Sequence, residues 1–128
     1  MAMKFYLWLK GVKGDSSDPD HQGEIGLSGV TWNGRYIGAD GLGRSKAHID
    51  DLVVTKDTDN ISPLLQLAST SGQTFEEGIV TVEVVTEKGL RLRSVFLRLR
   101  DVLIDSFVES GDGESIRLDF ASLEIVQL

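Results

Sequence analysis

The residues of this chain with the greatest capacity for chemistry are two histidines and a short run of aspartates. His21 and His48 lie far apart, and neither belongs to a metal-ligand pair such as H-x-x-x-H. We predict that both are surface or loop histidines, because this side chain usually keeps contact with solvent. Asp15, Asp18 and Asp20 beside His21 could bind a cation, but their spacing does not match the calcium-binding loop. A turn built from Asp, Ser and Pro is the simpler prediction.

Two glycine-containing segments fall short of known catalytic or cofactor-binding motifs. Gly26-Leu27-Ser28-Gly29 is one residue short of the G-x-S-x-G nucleophile elbow and lies in a predicted strand. The segment from Gly38 to Gly43 lacks the lysine of a phosphate-binding loop and follows no βα unit. We therefore predict no catalytic residues, no cofactor, no metal site and a protein that is not an enzyme.

The basic residues cluster at Arg91, Arg93, Arg98 and Arg100. Alternating arginines could follow a phosphate backbone, but the chain carries 20 acidic and 13 basic residues and a net charge of −7. We interpret the arginines as the solvated or ion-paired face of a strand. The negative charge argues against nucleic acid and against anionic membrane as partners. It also makes copies of the chain repel one another, so self-assembly must overcome that repulsion by contact energy.

The composition is that of an ordinary folded domain. The 128 residues are 41% hydrophobic and 26% charged, which is enough to build one hydrophobic core. The absence of cysteine excludes disulfides and thiolate chemistry. Residues 1–10 contain only the short apolar run Phe5 to Leu9, so we predict no secretory signal peptide and synthesis in the cytoplasm.

Short strands separated by turn signals dominate the predicted structure. In the first strand, Phe5, Leu7 and Leu9 share one face, and Tyr6 and Trp8 share the other. Because both faces are apolar or aromatic, we expect one of them to need cover from another chain. Further strands are predicted at about Glu24 to Trp32 and Ala47 to Lys56. The glycine-rich segment 33–46 between them has no period and is predicted to be an irregular loop.

One helix is predicted after these strands. Ser62 can cap it, Pro63 suits its first turn and Gly72 supplies a stop. Leu64, Leu67 and Ala68 follow the i, i+3, i+4 spacing of an apolar stripe.

The remaining sequence is predicted to be sheet with two bends. A strand from Ile79 to Thr86 ends at the turn signal Glu87-Lys88-Gly89. After this turn, Leu90 and Leu92 fall on one face of the predicted strand, whereas the apolar residues from Val95 onward fall on the other face. The last strand slips in the same way between Phe120 and Leu123, and such slips indicate bulges or sharp bends. We predict a mainly β domain spanning residues 1–128, a closed or split antiparallel β-barrel with one short α-helix packed on its side.

Four segments together resemble the Hcp family, the tube-forming proteins of the bacterial type VI secretion system. The resemblance covers essentially the whole chain, and the order and spacing of the segments make it specific. The segments are Leu7-x-Leu9-x-Gly11-Val12-Lys13-Gly14-Asp15-Ser16 followed by His21 and Glu24-Ile25, Val54-Thr55-Lys56-x-x-Asp59-x-x-Ser62-Pro63, Asp101-Val102-Leu103-Ile104-x-Ser106-Phe107, and Glu114-Ser115-x-x-Leu118-x-Phe120-Ala121-x-Leu123-x-Ile125.

The resemblance implies a β-barrel that forms hexameric rings with a wide channel. It further implies that the rings stack into a tube inside a contractile sheath and are expelled behind a VgrG spike, with small effector proteins carried in the channel. The protein would then assemble in the cytoplasm and be secreted without a signal peptide. The alternatives are the tail-tube protein of a phage or extracellular contractile injection particle, and a monomeric β-barrel module that binds a small ligand or single-stranded nucleic acid.

Three groups of residues are candidates for assembly contacts. Tyr6 and Trp8 are candidates for the contact between subunits, with the alternative that they cover the helix within their own subunit. The family often has W-S-W where this chain has Val30-Thr31-Trp32, and the resemblance implies that Thr31 faces the channel. The glycine-rich loop corresponds to an extended family loop that contacts neighbours. Its residues Gly38, Asp40, Gly41 and Gly43 are candidates for bridging stacked rings.

Overall fold

The computed structural model describes residues 2–39, 45–111 and 113–127, and for residues 34–39, 45–50 and 127 it describes the backbone alone. These residues form eight strands, one α-helix and a single turn of 3-10 helix at Pro19–His21. The strands and the helix are β1 (Ala2–Leu9), β2 (Ile25–Leu27), β3 (Gly29–Ala39), β4 (Ser45–Asp57), α1 (Ser62–Ser71), β5 (Thr74–Val85), β6 (Arg91–Ser110), β7 (Gly113–Asp119) and β8 (Ser122–Gln127).

The strands form one antiparallel sheet in the order β2-β1-β5-β6-β7-β4-β3, with β8 paired to the free part of β6. The two end strands, β2 and β3, are consecutive in sequence and are separated only by Ser28. The Ser28 N–H donates a 2.7 Å hydrogen bond to the carbonyl of Thr55, which brings the two ends of the sheet together. No ladder between β2 and β3 closes the barrel within the described residues. The prediction of a mainly β, split antiparallel barrel with one helix is therefore confirmed.

The hydrophobic core lies inside the curled sheet and beneath α1. Leu7 of β1 lies opposite Val80 of β5, and Val80 lies opposite Leu97 of β6, so these three side chains form one row across the sheet. The burial of each such side chain stabilises the fold by about 1.5–3 kcal/mol. The core continues through β4, β7 and α1 with Leu52, Val54, Leu65, Ala68, Ile116 and Leu118.

Both predicted phase slips are confirmed as bends in β6 and its partners. Leu92 is the extra residue of a bulge, because Arg91 and Arg93 pair with the adjacent residues Val85 and Val84. Further along β6, Asp101 has a φ of 54°. There the partner strand breaks between β7 and β8, and the Ala121 N–H donates to the Arg100 carbonyl at 2.9 Å. The matched interruptions in β6 and its partner let the sheet turn a corner.

The boundaries of α1 agree with the sequence at the C-terminal end and differ at the other. Gly72 has a φ of 71° and its N–H bonds the carbonyl of Ala68, which confirms the predicted stop. Pro63 lies in the first turn as predicted. The N-cap is Ile61, however, so the prediction of a Ser62 cap is wrong by one residue.

The predicted apolar stripe of α1 is wrong in two of its three members. Ile61, Leu65 and Ala68 are buried, whereas Leu64 is 42% exposed and Leu67 is 68% exposed. The cause is a contact from outside the helix. The Ser62 hydroxyl donates a buried 2.8 Å hydrogen bond to Glu114, and Leu65 shares the Ser62 face of the helix at i+3.

The segment between the second and third predicted strands is mostly strand. The predicted second strand, Glu24 to Trp32, is divided at Ser28, and β3 runs on to Ala39. β4 begins at Ser45 and pairs with β3 from Thr55 back to Ser45. The irregular loop predicted at 33–46 is therefore wrong for 33–39 and 45–46, where a ladder between two long strands holds the glycine-rich chain extended.

A bulge divides this hairpin into a base and a distal part. Thr31 pairs with Val53 and Asn33 pairs with Asp50, so β4 has one extra residue there. Asp51, at this position, has a φ of 52°. β4 pairs with β7 only from Leu52 to Asp57. The distal part therefore has no third strand beside it among the described residues. Separately, none of the described helices is long and apolar enough to cross a membrane.

Candidate assembly surfaces

Several ionisable groups of the described residues make structural contacts. No group of three or more His, Cys, Asp and Glu side chains in this part of the chain could hold a metal ion. The aspartates of the first turn act locally instead. Asp18 accepts a 3.0 Å hydrogen bond from the Asp20 N–H and caps the 3-10 turn. This agrees with the prediction of a turn built from Asp, Ser and Pro.

His21 lies in the segment between β1 and β2, as a loop histidine would, but it is buried, so the solvent contact predicted for it is wrong. It is 7% exposed, and its ring stacks on the ring of Tyr6 at 3.7 Å between centroids. Nδ1 lies 2.8 Å from Glu24, and Nε2 lies 2.5 Å from Glu83. Glu83 is 62 residues away in sequence, which is why local composition gave no sign of the burial. The side chain of His48 lies outside the described residues.

The pKa of His21 is raised above its usual value by its partners. Burial disfavours the charged ring, but the hydrogen bonds and charges of Glu24 and Glu83 outweigh that effect. Burial also raises the pKa of Tyr6, helped by the hydrogen bond that its hydroxyl donates to Asp18 at 2.6 Å. The same hydrogen bond is the main cause that lowers the pKa of Asp18.

A second buried cluster joins β4, β7 and the start of α1. Lys56 has no exposed side-chain surface and lies 2.8 Å from Glu114, which is equally buried. Its ammonium also donates to Asp59 at 2.9 Å and to Ser62 at 3.0 Å. Sequence reasoning assigned no role to Lys56, Asp59 or Glu114 and predicted only a helix cap for Ser62. The one available sign was that Lys56, Asp59, Ser62 and Glu114 all belong to segments that carry the family resemblance.

Tyr6 and Trp8 lie on the face of β1 that points away from the core, as the alternation predicts. Tyr6 is 6% exposed because His21 and Asp18, in the segment that follows β1, contact it within its own subunit. Trp8 is half-buried and lines an open hollow of about 390 Å³ together with Ile79 and Phe96. Neither aromatic covers the helix, which packs over the opposite, core side of the sheet.

The register extends this surface across four strands. Trp8 lies opposite Ile79, and the next row runs from Tyr6 through Thr81 and Phe96 to Val126. We call the surface formed by Trp8, Ile79, Phe96 and Val126 the outer sheet face. All four are half-buried. Arg98 and Glu124 are exposed at its border and lie opposite each other.

The arginine cluster is divided between two sides of the sheet. Arg91 Nε lies 2.5 Å from Glu83, which agrees with an ion-paired face. Arg98 and Arg100 are exposed on the outer side. Arg93 lies on the same side of β6 as Val95 and Leu97, which face the core, but the Arg93 side chain is exposed. The four arginines therefore do not form one face of the sheet.

The remaining candidates lie on β3 and the hairpin. Thr31 is exposed and lies opposite Val53, which in turn lies opposite the exposed Arg117 on the side of the sheet away from the core. Gly38 lies in β3, with its backbone alone described. Asp40, Gly41 and Gly43 lie outside the described residues.

Together these features describe a small split barrel. Its buried polar groups connect strands and helix within the subunit, and its outer sheet face is apolar. Comparison with known proteins gives this class a specific identity. Residues 6–126 match the model of the Hcp family, described as type VI secretion system effector, so the chain belongs to this family. It is thus a tube subunit of the type VI secretion system. Proteins of the Hcp family are secreted by that system.

Individual relatives agree with the family assignment. The chain is 27% identical to protein hcp1 of Pseudomonas aeruginosa over 98% of its own length and 83% of that protein. The fold is similar to the crystal structure of Hcp1 from Salmonella typhimurium, with a TM-score of 0.75, 20% identity and coverage of 99% and 93% of the two chains. A chain of the anti-feeding prophage baseplate shares the fold at a TM-score of 0.53, 11% identity and coverage of 97% and 91%.

Proposed function

We propose that this protein forms hexameric rings through its outer sheet face and that the rings stack to build the secretion tube. The observation that supports the rings most directly is the half-buried outer sheet face, in which Trp8, Ile79 and Phe96 line an open hollow. Aromatic and aliphatic residues at the centre of a patch with polar residues at its border are typical of protein interfaces. The proposed subunit is one tube-forming domain, residues 1–128, that acts structurally and not as an enzyme.

Trp8 is the proposed anchor of the contact between subunits. A ring closes when one surface of each copy meets a different surface of the next copy by a constant rotation. Tyr6 is buried, so we assign it an indirect part in the contact. It supports His21 and the turn at 15–24, which form the wall of the hollow beside Trp8.

The hairpin of β3 and β4 is the proposed contact between stacked rings. Its distal part is a two-stranded ribbon, and such a ribbon is only marginally stable in water without further packing. Contact with a neighbouring copy would supply that packing. Gly38, Asp40, Gly41 and Gly43 at its end are our candidates for the bridge, and Thr31 near its base is our candidate for the channel surface.

The remaining partners come from the family. We propose that a contractile sheath surrounds the tube, that a VgrG spike caps it and that small effector proteins travel in the channel. Assembly in the cytoplasm, followed by secretion without a signal peptide, belongs to the same proposal. Family membership supports these partners, and the net charge of −7 argues against nucleic acid as the contents of the channel.

Negative-stain microscopy of the purified protein tests the proposal. We expect annuli with an open centre, and light scattering on the same sample should give six times the mass of one chain. A protein that remains a single chain at high concentration, with no annuli in the images, would contradict it.

A further inference from the structure

Both imidazole nitrogens of His21 face carboxylate oxygens, and when both carboxylates are ionised only the charged imidazole can donate to each of them. Nδ1 lies 2.8 Å from Oε2 of Glu24, and Nε2 lies 2.5 Å from Oε1 of Glu83. A neutral imidazole has a single N–H to donate, and an ionised carboxylate can only accept. His21 therefore donates through both nitrogens as an imidazolium in this arrangement.

The hydrogen bonds of His21 fasten one segment of the chain to the outer side of the sheet. His21 and Glu24 belong to the segment 15–24, whereas Glu83 lies on β5 and Tyr6, under the imidazole ring, lies on β1. His21, Glu24 and Glu83 also line the hollow that contains Trp8. The wall of the proposed ring contact thus includes the groups that hold the segment in place.

We propose that His21 is a protonation-dependent clasp for the ring contact. As an imidazolium it holds the segment 15–24 against β1 and β5, and when it loses its proton the segment is released and the ring weakens. This inference rests on the proposed ring contact through the outer sheet face and adds the regulation of that contact. We use the name His21 clasp for His21, Glu24 and Glu83.

The charged groups around the clasp determine which bond breaks first. Arg91 on β6 lies 2.5 Å from Glu83, so Glu83 keeps a cationic partner when His21 becomes neutral. The single remaining proton of His21 then stays on Nδ1, where it serves Glu24. The unprotonated Nε2 faces an oxygen of Glu83, and neither atom has a proton to donate to the other, so the hydrogen bond between the segment and β5 is lost. The segment is therefore released from the sheet at Glu83.

The other ionisable neighbours do not replace this donor. Asp18 accepts from the Tyr6 hydroxyl and lies 3.8 Å from Lys4 on β1. Asp20 lies 3.7 Å from Arg91. The raised pKa of Tyr6 keeps its phenol protonated while His21 titrates, so Tyr6 adds no charge to the clasp.

The sign of the pH effect follows from the raised pKa of His21. A group whose pKa is raised by folding stabilises the folded state fully below its unfolded value, about 6.5 for histidine. That stabilisation is lost as the pH rises through the higher, folded value. Loss of the clasp is thus expected above pH 6.5. The chain has no cysteine and one other histidine, so few other side chains titrate there.

The test measures ring dissociation by size-exclusion chromatography from pH 6.5 to 9 in the wild type, His21→Gln and His48→Gln. The apparent affinity falls with the fraction of subunits that have a closed clasp, so we expect about a tenfold loss for each pH unit above the folded pKa. His48→Gln, the matched control, should behave as the wild type. His21→Gln should show no such dependence on pH. Identical pH profiles for wild type and His21→Gln rings would overturn the inference.

A second variant keeps the test valid if His21→Gln does not fold. Glu24→Gln removes one of the two carboxylates that raise the pKa of His21. The assembled rings of Glu24→Gln subunits should therefore begin to dissociate at a lower pH than wild-type rings. An unchanged transition in Glu24→Gln would also overturn the inference.

A measurement on single subunits separates the clasp from the proposed function. Trypsin can cut after Lys13, next to the clasped segment, and after Lys88 in the turn between β5 and β6, and both lysines are exposed. We expect the ratio of Lys13 to Lys88 cleavage to rise with pH in the wild type and to stay constant in His21→Gln. If no rings form at any pH, the proposed function fails, whereas a constant ratio in the wild type overturns the clasp itself.

Discussion

The ammonium group of Lys56 lies 2.8 Å from Oε1 of Glu114, and neither side chain has any surface exposed to solvent. The Ser62 hydroxyl donates to the same Glu114 oxygen at 2.8 Å. Since Lys56 lies on β4, Glu114 on β7 and Ser62 at the start of α1, this cluster fixes where the helix begins and which side it turns toward the core. Two segments of the family resemblance thereby acquire a structural role.

Breaking this pair should strongly destabilise the subunit. Lys56→Met leaves the Glu114 carboxylate buried without its cation, so we expect the free energy of unfolding to fall by about 3–5 kcal/mol. Urea denaturation monitored by circular dichroism measures it. Replacing both partners, as Lys56→Met with Glu114→Leu, should recover much of the loss, because no buried charge then remains.

The matched control is a lysine in an exposed ion pair. Lys10 lies 2.9 Å from Glu76, and both side chains are more than half exposed. Lys10→Met should leave the stability essentially unchanged, since solvent screens such pairs. Equal losses for Lys56→Met and Lys10→Met would contradict the structural role of the buried cluster.

The two sides of α1 give a second prediction. Leu65 is fully buried, whereas Leu67 is 68% exposed. Leu65→Ala should lower the free energy of unfolding by about 2–5 kcal/mol, because it removes buried surface and leaves a cavity. Leu67→Ala should change it by no more than about 0.5 kcal/mol. Urea unfolding curves for both variants measure these changes. A larger loss for Leu67→Ala than for Leu65→Ala would support the apolar stripe predicted from the sequence.

The buried face of α1 could not be predicted from the sequence. The spacing of Leu64, Leu67 and Ala68 and the spacing of Ile61, Leu65 and Ala68 both fit a helical stripe. The choice between them depends on the hydrogen bond from Ser62 to Glu114, whose partners are 52 residues apart. The burial of His21 likewise depends on Glu83, 62 residues away. Local patterns do not contain such long-range pairings.

The bends in β6 and in its partner strands were predictable because each leaves a local trace. A bulge at Leu92 or a break after Asp119 shifts the alternation of apolar residues, and the shift is visible in the sequence itself. The extended hairpin leaves no such trace. Its glycines weaken the strand signal at Gly34 and Gly38, and only the ladder between β3 and β4 reveals the extended chain.

Trp8 should be essential for rings but not for folding. Trp8→Ala removes the proposed anchor of the contact, for which a loss of about 2 kcal/mol or more, roughly thirtyfold in the dissociation constant, is expected. Size-exclusion chromatography should show a folded single chain with the circular dichroism spectrum of the wild type. Trp32→Ala, at the 38% exposed tryptophan of β3, is the control and should retain rings. An unfolded Trp8→Ala chain would place Trp8 among the residues that hold the subunit together.

Salt should lengthen the tubes. Six copies of a chain with a net charge of −7 carry a formal charge of −42, so like charge opposes the approach of one ring to another. Added salt screens exposed charges over about 10 Å at 0.1 M and weakens that repulsion. Tube lengths measured by electron microscopy should therefore increase between low and moderate salt. A steady shortening would show that attraction between oppositely charged ring faces dominates.

The end of the β3–β4 hairpin should be needed for tubes and dispensable for rings. We propose to replace residues 38–43 by the two-residue turn Asn-Gly, which suits a short hairpin. The outer sheet face lies on β1, β5, β6 and β8, and β4 pairs with β7 only from Leu52 onward, so the change leaves both intact. Electron microscopy should show single rings without tubes. Tubes of normal length would remove the hairpin from the stacking contact, and loss of the rings as well would place it in the contact between subunits instead.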